Sequence, residues 1–459
     1  MSMSANDPVH SSNDPVNPSN DTATTSNDTL TASIDPQAIG GTLPEPDGAL
    51  DPADPSLPRE RELTRLFADI MAVRSVSSEE GALADRIERM LRTQPHLQVR
   101  RHGDTVVAVH DAGRDHGVVL AGHIDTVPVI RNFPPLILRP GDGRIDHGVA
   151  HEHPDEPVMW GRGSTDMKAS DAVLLYLACT VLEPQFNLTY VFYDHEEVAA
   201  EHNGLRKVLQ DHPDWIRGDF AIIGEPTSGA IEGGCNGTMR FDVVSHGVAA
   251  HSARAWMGRN AIHAAGEILD RLRAYTPQDV TVDGLTYREG VNATMISGGT
   301  GTNVIPDECR IHVNYRFAPD KTLAQAKALM MGEDAGAELG NGEHEATGGM
   351  FRGFGIEMRD ESPAARPGLD APLSRSLVEL VRARTGADPH AKLGWTDVAR
   401  FSALGIPAVN LGAGSALFAH KADEQIAMGD LPRMESLLRD WLTGRVGQVG
   451  QPGQGDSRA

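Results

Sequence analysis

The stretch GVVLAGHIDTVPV, from Gly117 to Val129, is an almost unbroken apolar run that contains one histidine and one aspartate near its end. Three similar runs lie near it in the sequence, namely TVVAVH, NLTYVFYD and DFAIIGEP. The segment KASDAVLLYLACTVLEP, which precedes NLTYVFYD, is apolar nearly all round and predicts a buried helix. Apolar strands that alternate with helices are typical of a mostly parallel sheet covered on both faces. The sequence therefore predicts an α/β fold.

A different pattern begins after Cys235. The segments RFDVVSHG and ECRIHVNYRFAP alternate apolar and polar residues, as half-exposed antiparallel strands do, with a helical segment between them. The helical α/β pattern then returns and runs to about Arg445. We predict a smaller α+β domain at 237–351, inserted into a larger α/β domain formed by 59–236 and 352–446, with a flexible tail at 447–459.

The first 58 residues are rich in Ser, Asn, Asp, Pro and Thr, and a short SND-like repeat recurs every seven residues. The repeat has no Leu or Ile seam, so it predicts a disordered tail and not a coiled coil. The tail is either a solubility or regulatory appendage or a neutral expansion. Beyond it, Ser77 and Glu80 form the pattern of a capping box, which predicts that a helix begins at Ser77.

Composition limits the function classes. The chain has 459 residues, with 41 Lys and Arg against 64 Asp and Glu and a formal charge of -23. This charge argues against nucleic acid or an anionic membrane as the main partner. The three cysteines are widely spaced and form no CxxC pair. No signal-peptide pattern and no membrane-length apolar run is found, so we expect a soluble cytoplasmic protein.

Several residues that could carry chemistry follow the apolar runs. His123 and Asp125 are two apart, so both side chains project on one face of an extended segment. A carboxylate that orients an imidazole is a common arrangement at zinc sites. Asp166 lies on the Gly-rich turn WGRGSTDMKAS, where it either caps the following helix or meets a cation. Glu225 ends another apolar run, and His420 lies far downstream in LFAHKADEQI.

Taken together, His123, Asp166, Glu197, Glu225 and His420 are expected at the carboxyl ends of strands or in the loops that follow them. Open α/β sheets place their ligand sites there. Two histidines and three carboxylates suit two divalent ions, with one carboxylate bridging and each ion keeping a position for water. Imidazole and carboxylate oxygen ligands, with no thiolate among them, fit zinc first, with cobalt or manganese as substitutes.

The sequence resembles the M20 family of metallopeptidases and deacylases. The motifs that carry the resemblance occur in order between about residues 60 and 445: GHIDTVP, GRGSTDMKAS, DHEEV, GEPT, HSARAWMGRNAI and AHKADEQI. The resemblance implies a zinc-exopeptidase-like α/β domain with an inserted dimerisation or lid domain. Within the family, SPAARPGLDAPL and GWTDVARFSALGIPAVNLG are most similar to enzymes that release succinate from N-succinyl-LL-2,6-diaminopimelate. Acetylornithine deacetylase, aminoacylase and dipeptidase activities remain alternatives, and so does a catalytically inactive binding module.

The resemblance also implies a role for each candidate ligand. Asp166 is expected to bridge two zinc ions. His123 and Glu225 are expected to complete the ligands of one ion. Glu197 and His420 are expected to complete those of the other.

Other roles are implied in the same way. Asp125 is expected to orient His123, and Glu196 to act as the general acid and base. The resemblance assigns no role to Asp194 and His195, which follow the apolar run NLTYVFY.

Substrate binding is expected to involve a second copy of the chain. By the resemblance, His251 of AHSARAW reaches the active site of the partner in a homodimer and stabilises the oxyanion. Arg316 and Asn303 match positions that contact substrate, with Thr396 and Arg254 as further candidates. The expected substrate is a small anionic N-acyl amino acid, for which an arginine is a suitable partner.

The chain departs from the family pattern beside Asp166, and the loop before this residue is rich in His and acids. The loop before Asp166 contains His147, His151 and His153, which could be taken for a second metal site. Its Pro and Gly content favours a flexible loop instead. Met167 stands where many members of the family carry a second acid.

Overall fold

A computed structural model describes residues 59–141, 155–334 and 336–445. The predictions for the N-terminal tail, the C-terminal tail and the three loop histidines lie outside these residues. None of the described helices is long and apolar enough to cross a membrane.

The α-helices of the described residues are α1 (Arg59–Met71), α2 (Gly81–Arg92), α3 (Lys168–Thr180), α4 (Gly204–Asp211), α5 (Ala261–Ala274), α6 (Leu323–Met331), α7 (Pro372–Thr385), α8 (Val398–Ala403) and α9 (Asp430–Leu442). In the same part of the chain, two short 3₁₀ helices lie at Ser252–Met257 and Ala416–Phe418.

The strands of the first half are β1 (Gln98–His102), β2 (Thr105–His110), β3 (Gly117–His123), β4 (Leu136–Leu138), β5 (Val158–Trp160), β6 (Asn187–Tyr193), β7 (Phe220–Ile223), β8 (Glu232–Gly233), β9 (Gly237–His246) and β10 (Ala250–His251). Those of the second half are β11 (Asp279–Val282), β12 (Leu285–Arg288), β13 (Gly290–Gly298), β14 (Val304–Ile305), β15 (Glu308–Phe317), β16 (Glu338–Gly340), β17 (Glu343–Glu345), β18 (Gly355–Ser362), β19 (His390–Ala391), β20 (Ala408–Asn410) and β21 (Gln425–Ala427).

The larger sheet has eight strands in the order β1-β2-β6-β3-β7-β20-β8-β19. Its centre, β6-β3-β7-β20, is parallel, whereas β2 pairs with β6 in the antiparallel sense. The carboxyl ends of β3, β6 and β7 therefore meet at one edge of the sheet. The histidine that ends β3 and the acids that follow β6 and β7 are brought together at that edge.

Helices cover both faces of this sheet. On one face, α3 is buried along its length, and α1, α2, α7 and α9 contribute to the same apolar core. On the other face, α4 and α8 pack in a second core. The α/β fold and the buried helix are thereby confirmed. Because β3, β6 and β7 are covered on both sides, nearly every side chain in them had to be apolar.

The second sheet has six strands in the order β13-β15-β9-β18-β17-β16. In β15, Cys309, Ile311, Val313, Tyr315 and Phe317 face a separate core that α5 and α6 complete. The alternating polar residues occupy the opposite face, as the period-two pattern predicts. The sheet includes β18, so it extends beyond the predicted domain boundary at residue 351. A β-bulge between Met358 and Asp360 interrupts the alternation of apolar and polar residues in β18, so the sequence does not indicate this strand.

The capping box predicted at Ser77 is wrong. Helix α2 begins at Gly81, and its N-terminal flanking residue, Glu80, makes no capping hydrogen bond with its side chain. The Ser77 hydroxyl instead donates to the Asp125 carboxylate over 2.7 Å. The Ser77 hydroxyl, which the local pattern assigned to the helix N-terminus, makes a tertiary hydrogen bond instead.

Candidate metal centre

His123 ends β3 and is almost completely buried. Its Nδ1 lies 3.0 Å from the backbone carbonyl oxygen of Asp125, which can accept a hydrogen bond only if Nδ1 carries the proton. This leaves Nε2 as the nitrogen available to a metal. The same Nε2 lies 3.2 Å from Oδ1 of Asp166.

Asp166 lies between two imidazoles. Its Oδ2 is 3.4 Å from Nε2 of His420, which is in turn 3.0 Å from Oε1 of Glu197. The two oxygens of the Asp166 carboxylate therefore each face a different histidine, as a carboxylate that bridges two ions would.

The ligand atoms form two overlapping groups, within each of which all atoms lie within 4.8 Å of one another. One group is His123, Asp166 and Glu225, and the other is Asp166, Glu197 and His420. These are the two sets that the family resemblance implies. A third group combines His123 with Glu196 and Glu197, so Glu196 is also close to the centre.

Burial and repulsion between the acids give these groups unusual proton affinities. Burial and the negative charge of Asp166 raise the pKa of Glu225 to about 7. Burial also raises the pKa of Glu196 well above its usual value. Hydrogen bonds with Asp166 and Glu197 raise the pKa of His420 to about 10. Buried carboxylates need cationic partners, and two histidines cannot balance the charge of this group of acids. Imidazole and carboxylate donors suit divalent metal ions, which would supply the missing positive charge.

The Asp125 carboxylate was expected to orient His123, but its hydrogen bonds go to main chain and to Ser77. Oδ1 accepts from the backbone N–H of Glu196 over 2.9 Å, and Oδ2 accepts from that of Glu197 over 3.1 Å. Its distance from Nδ1 of His123 is 3.6 Å, so the closer contact with the imidazole is made by the Asp125 carbonyl. The carboxylate thus holds the segment that carries the acid pair.

A second buried carboxylate was missed by the sequence argument. Oε1 of Glu424 accepts hydrogen bonds from the backbone N–H groups of Thr165 and Asp166, each over 3.2 Å. Its Oε2 lies 2.6 Å from Nη1 of Arg162, and both side chains are buried. Glu424 therefore fixes the turn that presents Asp166. The signal was present in the motif AHKADEQI, where only Gln425 separates this acid from a short apolar run.

Asp194 and His195 form a cluster behind the acid pair. Nδ1 of His195 lies 2.6 Å from Oδ2 of Asp194, and its Nε2 lies 3.0 Å from the Ser78 hydroxyl. The other Asp194 oxygen accepts from the Thr105 hydroxyl over 2.5 Å. These contacts tie the end of β6 to β2 and to the segment before α2.

The candidate ligands line a cleft of about 980 Å³ between the two sheets. Of the residues predicted to contact substrate, Arg316 and Thr396 line it. His251, Asn303 and Arg254 are exposed and are not among its lining residues. Other cations of the cleft wall, Arg240, Arg359, Lys392 and Arg400, were not singled out from the sequence.

Known proteins resemble this chain over most of its length. Residues 234–333 match the peptidase dimerisation domain of the M20 family. A protein of Mycobacterium tuberculosis described as a putative succinyl-diaminopimelate desuccinylase, DapE, is 42% identical over 384 residues, which cover 83% of this chain and 98% of the relative. The succinyl-diaminopimelate desuccinylase of Corynebacterium glutamicum is 39% identical over 389 residues, covering 83% and 95%.

The chain belongs to the M20 family. The family predicted from the motifs is thereby confirmed. Among solved structures, a tripeptidase from Staphylococcus aureus superposes with a TM-score of 0.63 at 17% identity, covering 85% of this chain and 99% of the other. A dinuclear metal-binding M20 peptidase from Bacillus subtilis superposes with a TM-score of 0.57 at 18% identity, covering 84% and 98%. At these identities the structures support the M20 fold alone.

Two of the remaining candidates of this M20 chain, His251 and Asn303, lie on or directly beside two short paired strands. His251 pairs with Val304 in the β10–β14 ladder, next to Asn303. The His251 ring is exposed, and its Nδ1 accepts a hydrogen bond from the backbone N–H of Ala253 over 3.1 Å. Both residues belong to the segment that matches the dimerisation domain.

Proposed function

We propose that the chain is a succinyl-diaminopimelate desuccinylase, which hydrolyses N-succinyl-LL-2,6-diaminopimelate to succinate and LL-diaminopimelate. The observation that carries this proposal is the likeness to the two desuccinylases over almost their whole length. The clustered candidate ligands and the cations of the cleft support it, since the substrate is an anionic amide.

Two divalent ions are proposed at the candidate metal centre. Asp166 would bridge them, with His123 and Glu225 on one side and Glu197 and His420 on the other. Zinc is the first choice for imidazole and carboxylate ligands, with cobalt or manganese as substitutes. The ions would polarise the amide carbonyl and allow water to lose a proton near neutral pH.

Glu196 is proposed to move the proton. It lines the cleft beside Glu197, and its backbone is held by Asp125. Its carboxylate accepts the proton of the attacking water and then delivers it to the amide nitrogen, so that the C–N bond breaks with a neutral amine as leaving group.

Arg316 and Thr396 are proposed to bind the substrate. Nε of Arg316 donates to Oδ1 of Asn314 over 3.1 Å, but none of the described residues forms an ion pair with the guanidinium. Burial and the neighbouring Arg240 lower its pKa. A partly buried guanidinium without an acidic partner suits a substrate carboxylate.

A homodimer is proposed through the second domain. Among the described residues β13 is an edge strand, and most of its side chains are exposed. Large apolar side chains are exposed on and near it, namely Met295, Ile296, Trp256, Met257, Ile262 and Leu269. A second copy would cover this surface and pair the open edge. We propose that His251 and Asn303 then reach the cleft of the partner.

We propose that the enzyme works in the cytoplasm. The support is the spacing of its three cysteines, which favours a reducing compartment.

The test is a substrate panel with zinc supplied and amine release measured. It contains N-succinyl-LL-diaminopimelate, N-acetyl-L-ornithine and simple dipeptides. We expect hydrolysis of the first, its loss after chelation and its recovery when zinc is restored. Activity confined to N-acetylornithine or to dipeptides would refute the proposed substrate. Less than about one bound ion per chain in the purified protein would contradict the dinuclear site.

A further inference from the structure

Lys392 is a buried cation in the wall of the cleft. It directly follows β19, the edge strand of the larger sheet, and lines the same cavity as Arg316 and Thr396. Only 11% of its side chain is exposed. A lysine is rarely buried without a partner, so its surroundings indicate what it does.

Glu232 holds the ammonium in place. Nζ of Lys392 lies 2.7 Å from Oε2 of Glu232, whose Oε1 lies 3.3 Å from Nε2 of His390. Strands β8 and β19 are parallel, with Glu232 opposite His390, so this arrangement is built into the sheet. An ammonium has three N–H donors, and Glu232 is the one partner that the described residues give it. Donors therefore remain for a group in the cleft.

Lys392 shares its cleft with the candidate metal ligands. Burial lowers the pKa of Lys392, but the negative charges of Glu225 and Glu232 outweigh burial and raise it. Asp166 acts in the same direction. Lys392 is therefore a cation, and it lines the same cleft as the candidate ligands Glu225 and Asp166.

We propose that Lys392 binds the terminal carboxylate of the acyl group and that Glu232 positions it. The inference rests on the proposed function. In a succinyl group three single bonds of about 1.5 Å separate the amide carbonyl carbon from the carboxylate carbon, so the two are roughly 4 Å apart. Because the carbonyl must lie at the metal centre, the anchor of this short arm must lie near the ligands, as Lys392 does.

The other cations of the cleft are less suitable for this short arm. Nη2 of Arg359 is 2.6 Å from Oδ2 of Asp242, so it already has an acidic partner. Arg240 has a half-exposed side chain on the second sheet. Arg316 remains for a carboxylate on the amine side of the substrate.

The competing role for Lys392 is purely electrostatic. A lysine that only balanced the charge of Glu225 would stabilise the metal centre and affect all substrates alike. A lysine that binds the acyl carboxylate discriminates between acyl groups. The ratio of two acyl substrates with the same amine therefore separates the two roles.

The experiment compares N-succinyl-LL-diaminopimelate with N-butanoyl-LL-diaminopimelate, which lacks the acyl carboxylate. We expect Lys392→Met to lower the succinyl-to-butanoyl ratio of kcat/KM by about 10- to 150-fold, the value of one charge-assisted hydrogen bond. Most of the loss should be in KM. We expect a smaller loss in the ratio for Glu232→Gln, because the ammonium is then less well positioned, and partial rescue of the ratio by Lys392→Arg.

The matched control is Lys321→Met. Lys321 has a similar exposure, 13%, and a similar partner, since its Nζ is 2.5 Å from Oε1 of Glu289, but it does not line the cleft. We expect this variant to keep the wild-type ratio. Metal content per chain is measured for every variant.

A Lys392→Met ratio within about twofold of wild type overturns the inference, and an equal loss on both substrates together with lost metal would show the purely electrostatic role instead. N-succinyl-L-lysine and N-butanoyl-L-lysine are tested in the same way, so that the role of Lys392 can be judged even if the proposed substrate is wrong. A wild-type enzyme that hydrolyses succinyl-lysine but not succinyl-diaminopimelate contradicts the proposed function, and the lysine pair still tests Lys392. A wild-type enzyme without preference for succinyl on either amine overturns the inference.

Discussion

Replacing Asp125 with asparagine tests whether its carboxylate holds the segment that carries Glu196 and Glu197. Each carboxylate oxygen accepts a hydrogen bond from one backbone N–H, and Oδ2 also accepts from the Ser77 hydroxyl. An asparagine offers one oxygen and one NH₂ group. In either orientation its NH₂ group faces a backbone N–H, so at least one hydrogen bond to a charged acceptor is lost.

The magnitude follows from this count. A hydrogen bond to a charged group contributes about 1.5–3 kcal/mol, and the remaining bonds weaken when the acceptor becomes neutral. We therefore expect a cost of about 2–3 kcal/mol for Asp125→Asn. If the segment shifts to avoid the clash, this cost appears as a loss of about 30- to 150-fold in kcat/KM. Ser77→Ala keeps the carboxylate and removes one of its three donors, so its loss should stay below about tenfold.

The assay measures kcat/KM on the desuccinylase substrate, bound metal per chain and the thermal unfolding midpoint for both variants and wild type. A cost in the folded state without a shift of the segment would lower the unfolding midpoint instead of the rate. An Asp125→Asn enzyme within about threefold of wild type in kcat/KM, with unchanged metal and an unchanged midpoint, would refute the argument.

Three further predictions follow from the site. Glu196→Gln should keep its metals and lose about 10²- to 10⁴-fold in kcat, and a near-normal kcat would contradict its role in proton transfer. Random mixing of His251→Ala and Glu196→Gln chains should restore about a quarter of wild-type activity. About half of the dimers are then mixed, and one of the two sites in each mixed dimer has both Glu196 and the His251 of the partner. No recovery would mean that His251 does not act on the partner. Arg162→Met should lower the free energy of unfolding in urea by about 3–5 kcal/mol, because Glu424 is left as an unpaired buried charge, and a change below about 1 kcal/mol would contradict this.

The fold and the candidate ligands were predictable because both depend on burial. Strands β3, β6 and β7 are covered on both faces, so most of their residues are apolar, and the polar residues at or just after their carboxyl ends mark the ligand edge. His123 and Glu225 were found by this rule. Asp166 and His420 lie on loops and were assigned with the help of the motifs.

Features that depend on tertiary contacts or on local irregularities of the backbone could not be predicted in this way. The local pattern at Ser77 indicated a helix cap, but the hydroxyl contacts a carboxylate 48 residues away in the chain. The pair of His123 and Asp125 suggested a contact between their side chains, whereas the closer contact uses a backbone carbonyl. The strand pattern of β18 was hidden by its bulge.

Two buried acids that are not candidate ligands, Asp125 and Glu424, help to hold the candidate ligands in position. The Asp125 carboxylate accepts hydrogen bonds from the backbone N–H groups of Glu196 and Glu197. The Glu424 carboxylate accepts one from the backbone N–H of Asp166. The acids of the candidate metal centre repel one another, and these anchors oppose the separation of the loops that carry them. A backbone N–H can come from any residue type, so the side-chain pattern of the sequence does not record these contacts. The arrangement of the candidate metal centre therefore depends on acids whose role appears only once the backbone is folded around them.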